Sequence, residues 1–453
     1  MRYVILFSSL FFASVRLYAQ ADVRSFTLAE AIKFAEENSL SVRTSQANIT
    51  EADLRIKENR ATGLPQVSAS LQAQHFLQLP SSILPEAFAY AFIPKDSLGN
   101  PLREPTLDDR KVTFGVKNNI TGTVSVSELI FSGSYTQAKR ASVLYRDYVN
   151  QNLTATLYTV RNNVTDAYLP SLLIAESVKT FDRNIGNLER LLFETTEFNK
   201  AGFVEALDVD RLTLTLANLR TERDNLVRQK EVVMNALKFV MGYPMDQNIT
   251  VSDNIAALLN TPADEALGGV VRTDARPELK VIDMGIKLNE VNQDIIRAGR
   301  LPTVAAFGNY QLGLQGDNLI KEGFFIPTAL IGLTASVPIY DGGQRKYQLQ
   351  RAQIATEIVR TQRTELERAI SLQVQNARIA YRNAQFRVTA QQKNIELAER
   401  IQRVSQTKYR EGIGSSIEVV QAEQSLYQTQ QNLIQAQFDL LVAQKSLEKA
   451  LGN

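Results

Sequence analysis

Two stretches, from Ser134 to about Asn199 and from Gln344 to about Lys408, run without a Gly-Pro cluster and keep a helical spacing of apolar residues. At 1.5 Å per residue each is a helix of roughly 100 Å, far longer than a globular domain needs. Pro170 and Gly186 are the only interruptions of the first, and Pro170 predicts a kink. The two stretches sit at equivalent places in a duplicated chain. Ala201-Gly202-Phe203-Val204-Glu205-Ala206-Leu207-Asp208-Val209 matches Glu411-Gly412-Ile413-Gly414-Ser415-Ser416-Ile417-Glu418-Val419 at a shift of 210, which also carries Met241-Gly242 onto Leu451-Gly452. Ile130-Phe131-Ser132-Gly133 maps onto Ile339-Tyr340-Asp341-Gly342 at 209, and Gly63-Leu64-Pro65 onto Arg300-Leu301-Pro302 at 237. The first copy therefore carries about 27 extra residues between Val67 and Ile130.

A shorter helix follows each long one. In the second copy it has a heptad seam of Val419, Ala422, Leu426, Thr429, Leu433, Ala436, Leu440, Ala443, Leu447 and Ala450. Steps of three and four held over five heptads mark a coiled coil. The first copy repeats the seam through Leu212, Leu216, Leu219, Leu226, Val233 and Leu237, with Arg223 and Lys230 interrupting it.

Between the helices the period changes from 3.6 to two. Val67, Ala69, Leu71 and Ala73 alternate with Ser68, Ser70, Gln72 and Gln74. A second run alternates through Val112, Phe114, Val116, Ile120, Val124 and Val126, a third through Val304, Ala306, Tyr310 and Leu312, and a fourth through Phe325, Ala329, Ile331, Leu333 and Ala335. One such strand also suits a half-buried soluble sheet. Four strands of this length in a secreted chain fit a barrel with lipid outside and water inside. Four cannot close alone, since the smallest barrels have about eight, and an open edge in lipid leaves backbone groups unpaired. Closure requires copies: three give twelve strands, and two or four also close a ring.

Secretion is expected from the amino terminus. Met1-Arg2, an apolar run from Tyr3 to Ala13 and Ala19-Gln20-Ala21 read as a signal peptide over 1–21. The 50 Lys+Arg against 48 Asp+Glu leave a net charge of +2, which argues against nucleic acid as a partner. With no cysteine and one histidine, His75, thiolate chemistry, Cys-rich zinc sites and a His-based triad are excluded or nearly so. No catalytic, cofactor or metal site is expected, and the glycine pairs read as turns because they lack the setting of a phosphate loop.

These residues resemble the TolC-type outer-membrane efflux proteins. The resemblance is carried by the duplicated Leu-Pro before a strand, the Phe131-Ser132-Gly133 and Tyr340-Asp341-Gly342-Gly343 strand-to-helix junctions, and Arg276-Pro277-Glu278-Leu279. The two glycine-containing helix turns and the capping-box start Thr27-Leu28-Ala29-Glu30 complete it. It spans essentially the whole mature chain. It implies a mixed α and transmembrane β fold, with long coiled-coil helices forming a periplasmic α-barrel and four strands per chain contributed to a trimeric β-barrel. The expected division is a first repeat over 22–242, with strands near 66–76 and 111–129, a long helix 134–199 and a short helix 204–240. A linker over 243–273 follows. The second repeat over 274–453 holds a helix 274–299, strands near 303–315 and 324–337, a long helix 344–408 and a short helix 415–451.

The resemblance further implies a homotrimer in outer-membrane lipid, meeting a periplasmic adaptor (membrane fusion) protein and an inner-membrane pump. At its periplasmic gate, Asp208 matches the acidic position of the first turn, Tyr409 the gate tyrosine and Glu418 the first acidic ring position. Gln421 stands where the family has a second aspartate, and Gly414 where the best-known member has a gate arginine. Gly202, Phe203, Gly412 and Ile413 form the helix-turn tips expected to touch the adaptor. A plainer role for Asp208 and Glu418 is to complement the dipoles of the helices they open. The implied function is a passive conduit for small molecules. The duct of a type I protein secretion system and a soluble periplasmic scaffold are the alternatives. The segment 77–110 is expected as an extracellular loop.

Overall fold

The computed structural model describes residues 24–259 and 276–452. The expected signal peptide, the later part of the 243–273 linker with its Gly268-Gly269 pair, and the start of the helix expected from 274 lie outside the described residues. The described residues form two compact units, 24–50, 147–259, 276–286 and 358–452 making one and 51–146 and 287–357 the other. Each unit draws on both halves of the duplicated sequence.

The second unit is built on a four-stranded antiparallel sheet of Gln66–His75 (β2), Asn118–Ser132 (β5), Thr303–Gly316 (β7) and Phe324–Ser336 (β8), in the order β2-β5-β7-β8. Its register gathers the period-two pattern onto one face. Val67, Ala69, Leu71 and Ala73 lie beside Val126, Val124, Gly122 and Ile120. The row continues through Gly308, Tyr310, Leu312 and Leu314 and ends on Ile331, Ala329, Pro327 and Phe325. The other face carries Ser68, Ser70, Gln72, Thr121, Thr123, Ser125, Asn309, Gln311, Thr328 and Thr334. Because directly paired residues share a face, four separate alternations merge into one apolar wall. Leu71 at 78%, Ile331 at 92% and Leu333 at 75% are exposed on it. A one-residue register shift between Leu129 and Phe131 places Phe131 opposite Val304, on the apolar side.

The strand expected near 111–129 is divided. Lys111–Thr113 (β4) pairs with Ser81–Ile83 (β3) as a separate two-stranded sheet. Gly115 then adopts φ +99°, which turns the chain out of an extended path, and the long strand begins at Asn118. Val112, Phe114 and Val116 thus lie outside the four-stranded sheet. The segment between β2 and β5 also holds the short helix Glu86–Ala89 (α3). His75 closes β2, with Nδ1 2.7 Å from Asn118 Oδ1.

Each strand meets a helix or helix-bound turn at one edge of the sheet, marked by Gln66, Ser132, Thr303 and Ser336. Leu40–Ala61 (α2) leads into β2, and Gly133–Lys200 (α4) follows β5 directly. A Cβ on Gly133 would fall 2.5 Å from Leu301 Cδ1 and 2.8 Å from the Ala298 carbonyl, so that junction accepts only glycine. Pro277–Ala298 (α7) leads into β7, and Gln344–Arg410 (α8) follows β8 after Gly342 and Gly343, both at positive φ. Pro170 lies inside α4, which continues past it for thirty residues.

The first unit is helical. Leu28–Asn38 (α1) opens with a capping box in which Glu30 N–H bonds the Thr27 hydroxyl and the Glu30 carboxylate accepts from Thr27 N. Ala206–Met241 (α5) follows α4, and Ser416–Leu451 (α9) follows α8, which gives two long hairpins. Arg24–Phe26 (β1) pairs in parallel with Ile249–Val251 (β6), which precedes Ile255–Leu259 (α6). Around this pair Phe26, Ala31, Ala35, Val164, Leu237, Met241 and Leu441 form the main core. Tyr168, fully buried there, has its hydroxyl 2.9 Å from both the Phe26 carbonyl and Asp253 Oδ2. Burial, reinforced by the Asp253 carboxylate, pushes its phenol well above the usual tyrosine range. Within the second hairpin Ala377 and Ala384 pack against Ala443 and Ala450, the small knobs that let α8 and α9 approach closely. No helix among the described residues is long and apolar enough to cross a membrane.

Candidate functional site

Both hairpins turn in the same way, and the sequence explains how. Gly202 and Gly412 take φ +79° and +73°. Phe203 N–H bonds the Phe198 carbonyl at 2.9 Å and Gly202 N–H that of Asn199 at 2.9 Å. Ile413 N–H bonds Lys408 at 3.0 Å and Gly412 N–H bonds Tyr409 at 3.1 Å. These six-to-one and five-to-two bonds define a Schellman motif, which needs a left-handed residue at its turn. The motif leaves Phe203 80% and Ile413 77% exposed. Two bare apolar side chains therefore project from the turns.

Behind the turns Leu188 and Leu191 of α4, Leu212 and Leu216 of α5, Tyr409 of α8 and Val419 of α9 form one cluster, which joins the two hairpins. Three polar links add to it. Ser416, the first residue of α9, donates its hydroxyl to Asp208 Oδ1 in the first turn of α5. Tyr409, buried, lies with its hydroxyl 3.4 Å from Thr195 Oγ1. Arg410 reaches both carboxylate oxygens of Glu194 at 3.2 and 3.3 Å. Asp208 and Tyr409, each expected as a gate residue, thus take part in separate links between the hairpins. Arg211 also lies 3.6 Å from Asp208, whose side chain is 18% exposed.

Glu418 is exposed, in the first turn of α9, with its N–H 3.4 Å from the Ser415 hydroxyl that caps the helix. Gln421 is exposed three residues further on. The two first-turn carboxylates therefore differ in kind: Asp208 is engaged, Glu418 is free. At the place equivalent to Ser416 the first copy has Ala206, which has no hydroxyl to offer. Gly414 N–H bonds the Lys408 carbonyl at 3.0 Å, and a Cβ there would come within 2.9 Å of Lys408 Cβ and 3.1 Å of Tyr409 N. This turn has no room for the arginine of the best-known relative without a shift of the backbone.

Sequence reasoning missed Ser416, Thr195, Glu194 and Arg410, and also a buried carboxylate. Glu423 is 2% exposed and its Oε1 accepts from Gln402 Nε2 at 2.8 Å and Gln406 Nε2 at 2.7 Å. Tyr427, one turn on, has its phenol pushed up by burial and by the charge of Glu423. The sequence signal was partial: Gln402 and Gln406 fall on one face of α8, and Glu423 stands next to the seam residue Ala422. Among the described residues no group of three or more acidic or histidine side chains forms a metal-binding cluster.

Residues 273–453, the second copy with its turn and α9, match the family model described as outer membrane efflux protein. A pyoverdine export outer membrane protein, OpmQ of Pseudomonas putida, is 22% identical over 94% of this chain and 85% of its own length. The family match covers the second copy alone. Nodulation protein T of Rhizobium leguminosarum bv. trifolii is 23% identical over 70% of this chain and 68% of its own length. The fold is that of solved channels of this type. VceC of Vibrio cholerae matches with a TM-score of 0.66 at 16% identity, covering 94% of this chain and 96% of that one. The open state of MtrE of Neisseria gonorrhoeae matches at 0.67 and 17%, covering 94% and 89%. These matches agree with the outer-membrane location and helical periplasmic extension expected from the sequence.

Proposed function

We propose that three copies of the chain close a twelve-stranded barrel and form the outer-membrane duct of a tripartite efflux system, a passive conduit for small molecules delivered by an inner-membrane pump through an adaptor. The observation that carries this reading is the sheet, apolar on one face, polar on the other and open at both β2 and β8, whose strands continue in sequence into two long helical hairpins. Such a sheet is stable in lipid only when neighbouring copies satisfy its edges. The Pseudomonas putida relative, a pyoverdine export protein, supports a small-molecule cargo.

The paired turns are the gate and the adaptor contact of this reading. Phe203 and Ile413 supply apolar anchors of the kind that dominate protein interfaces. The links Asp208–Ser416, Tyr409–Thr195 and Arg410–Glu194 hold the hairpins together, and opening the tip separates them. The polar face of the sheet bears no ionised residue, so ion preference is set elsewhere, and three exposed Glu418 carboxylates at a narrow tip favour cations. The test is complementation of a strain lacking the chain. The wild type should restore export of a fluorescent pump substrate, and a Phe203→Glu, Ile413→Glu variant should assemble as trimers yet fail to restore it. Full export by that variant would remove the tips from adaptor contact, and no restoration by the wild type would remove efflux.

A further inference from the structure

In all four barrel strands there is one Asp, Glu, Lys or Arg, and it lies on the wrong face. Glu128 stands in β5 directly beside Ala306 of β7, which in turn stands beside Leu333 of β8. These neighbours place its carboxylate on the apolar wall. Its sequence counterpart in the second copy, at the shift of 209, is Val337, just past the end of β8. The Glu128 side chain has no hydrogen bond or ion pair to any described residue. A copy of the same sheet alongside cannot neutralise it either, because the four strands contain no Lys or Arg. A carboxylate facing lipid without a counter-charge is costly, and its partner must come from the lipid side.

The surroundings say what kind of partner. Val126, Glu128, Ala306, Gly308, Ile331 and Leu333 line an open groove of about 770 Å³. Its floor is Gly308, where a Cβ would make only ordinary contact, 3.5 Å from Ile331 Cγ2. A larger side chain here would project into the groove. Glu128 lies four residues before Ser132, the helix-side end of β5. At ~3.3 Å per residue along a strand tilted by ~40° this sets the carboxylate ~10 Å from the periplasmic edge of the sheet. That is headgroup depth for the inner leaflet, with the apolar groove extending beside it.

We propose that Glu128 and this groove form a lipid site selective for an aminophospholipid of the periplasmic leaflet, the carboxylate accepting hydrogen bonds from a primary ammonium headgroup and the groove receiving an acyl chain. The site rests on the outer-membrane reading but not on the gate or the cargo. A quaternary ammonium headgroup of equal charge has no N–H to donate, and an anionic headgroup is repelled.

Native mass spectrometry of the delipidated trimer tests this after re-equilibration with equimolar phosphatidylethanolamine, phosphatidylcholine and phosphatidylglycerol of identical chains. Wild type should retain up to three phosphatidylethanolamine molecules per trimer and favour them over phosphatidylcholine by at least about fivefold. Glu128→Gln should bring that ratio close to one, with trimer yield and conductance unchanged, since those report the channel itself. Gly308→Leu should reduce retention of all three lipids. A ratio near one in the wild type, or an equal preference in wild type and Glu128→Gln, overturns the proposal. Loss of the trimer itself in Glu128→Gln also overturns it, because the carboxylate would then serve assembly.

Discussion

Removing one hydroxyl should loosen the gate. In Ser416→Ala the carboxylate of Asp208 loses the donor that crosses from α9 to α5. Ser416 is 7% exposed, so alanine fits its place without opening a path for bulk water. A hydrogen bond to a charged group contributes about 1.5–3 kcal/mol. Arg211 remains 3.6 Å from Asp208 and compensates in part, which favours the lower end. About 1.5 kcal/mol is a factor of about ten in the open-to-closed ratio of one protomer. If three protomers open together, the ratio for the trimer rises by up to ~1,000-fold. Single-channel recording in planar bilayers should show long high-conductance dwells in Ser416→Ala that the wild type lacks. Ser415→Ala is the matched control: it removes the α9 cap, at a cost of about 1 kcal/mol, and leaves the Asp208 link in place. Identical open probabilities in wild type and Ser416→Ala, or equal effects of the two alanines, would refute a latch at this pair.

Val124→Asp should abolish heat-modifiable trimer in membrane fractions while Thr123→Asp is tolerated, since the first faces lipid near mid-strand, where Arg or Lys costs ~2–4 kcal/mol and Asp somewhat less, and equal yields would contradict the face assignment. Glu418→Gln should weaken cation preference, read as a smaller reversal potential under a salt gradient, whereas Gln421→Asn should leave it unchanged. An unaltered potential in Glu418→Gln would confine that residue to opening its helix. Gly412→Val should destabilise the second turn by ~1–2 kcal/mol, because φ +73° is strained for any residue with a Cβ, and limited proteolysis should then cut between Glu411 and Ser415. Gly186→Ala, in open space inside α4, should instead raise the melting temperature.

Periodicity made the architecture legible. A helix or strand announces its buried face by repetition, so the duplicated turns and the alternation through Leu71, Val124, Tyr310 and Ile331 were visible without coordinates. Local backbone events were harder. Nothing in the alternation through Val112, Phe114 and Val116 marks the break at Gly115, since a glycine inside a strand is also common at bulges. The register shift before Phe131 leaves no compositional trace. The site was legible only as a set of positions. Which residues meet across the two hairpins depends on their lateral offset, and neither seam encodes that offset. For this reason Tyr409 could be named as a position while its partner Thr195 was missed, and Asp208 met a serine that no spacing rule signals.

The mixing of the two sequence halves within each compact unit bears on ancestry. The main core and the tip cluster each draw on both halves, so a chain with only one of them would have to assemble before those cores could form. Six such half-chains, each bringing two strands and one hairpin, would supply the same twelve strands and six hairpins as three present chains. Fusion of pairs then halves the symmetry and releases alternate positions from having to be identical. The contrasts at Ser416 and Ala206, at Glu128 and Val337, and the extra segment before β5 are what that release permits: a ring in which neighbouring hairpins carry different instructions, one to hold and one to let go.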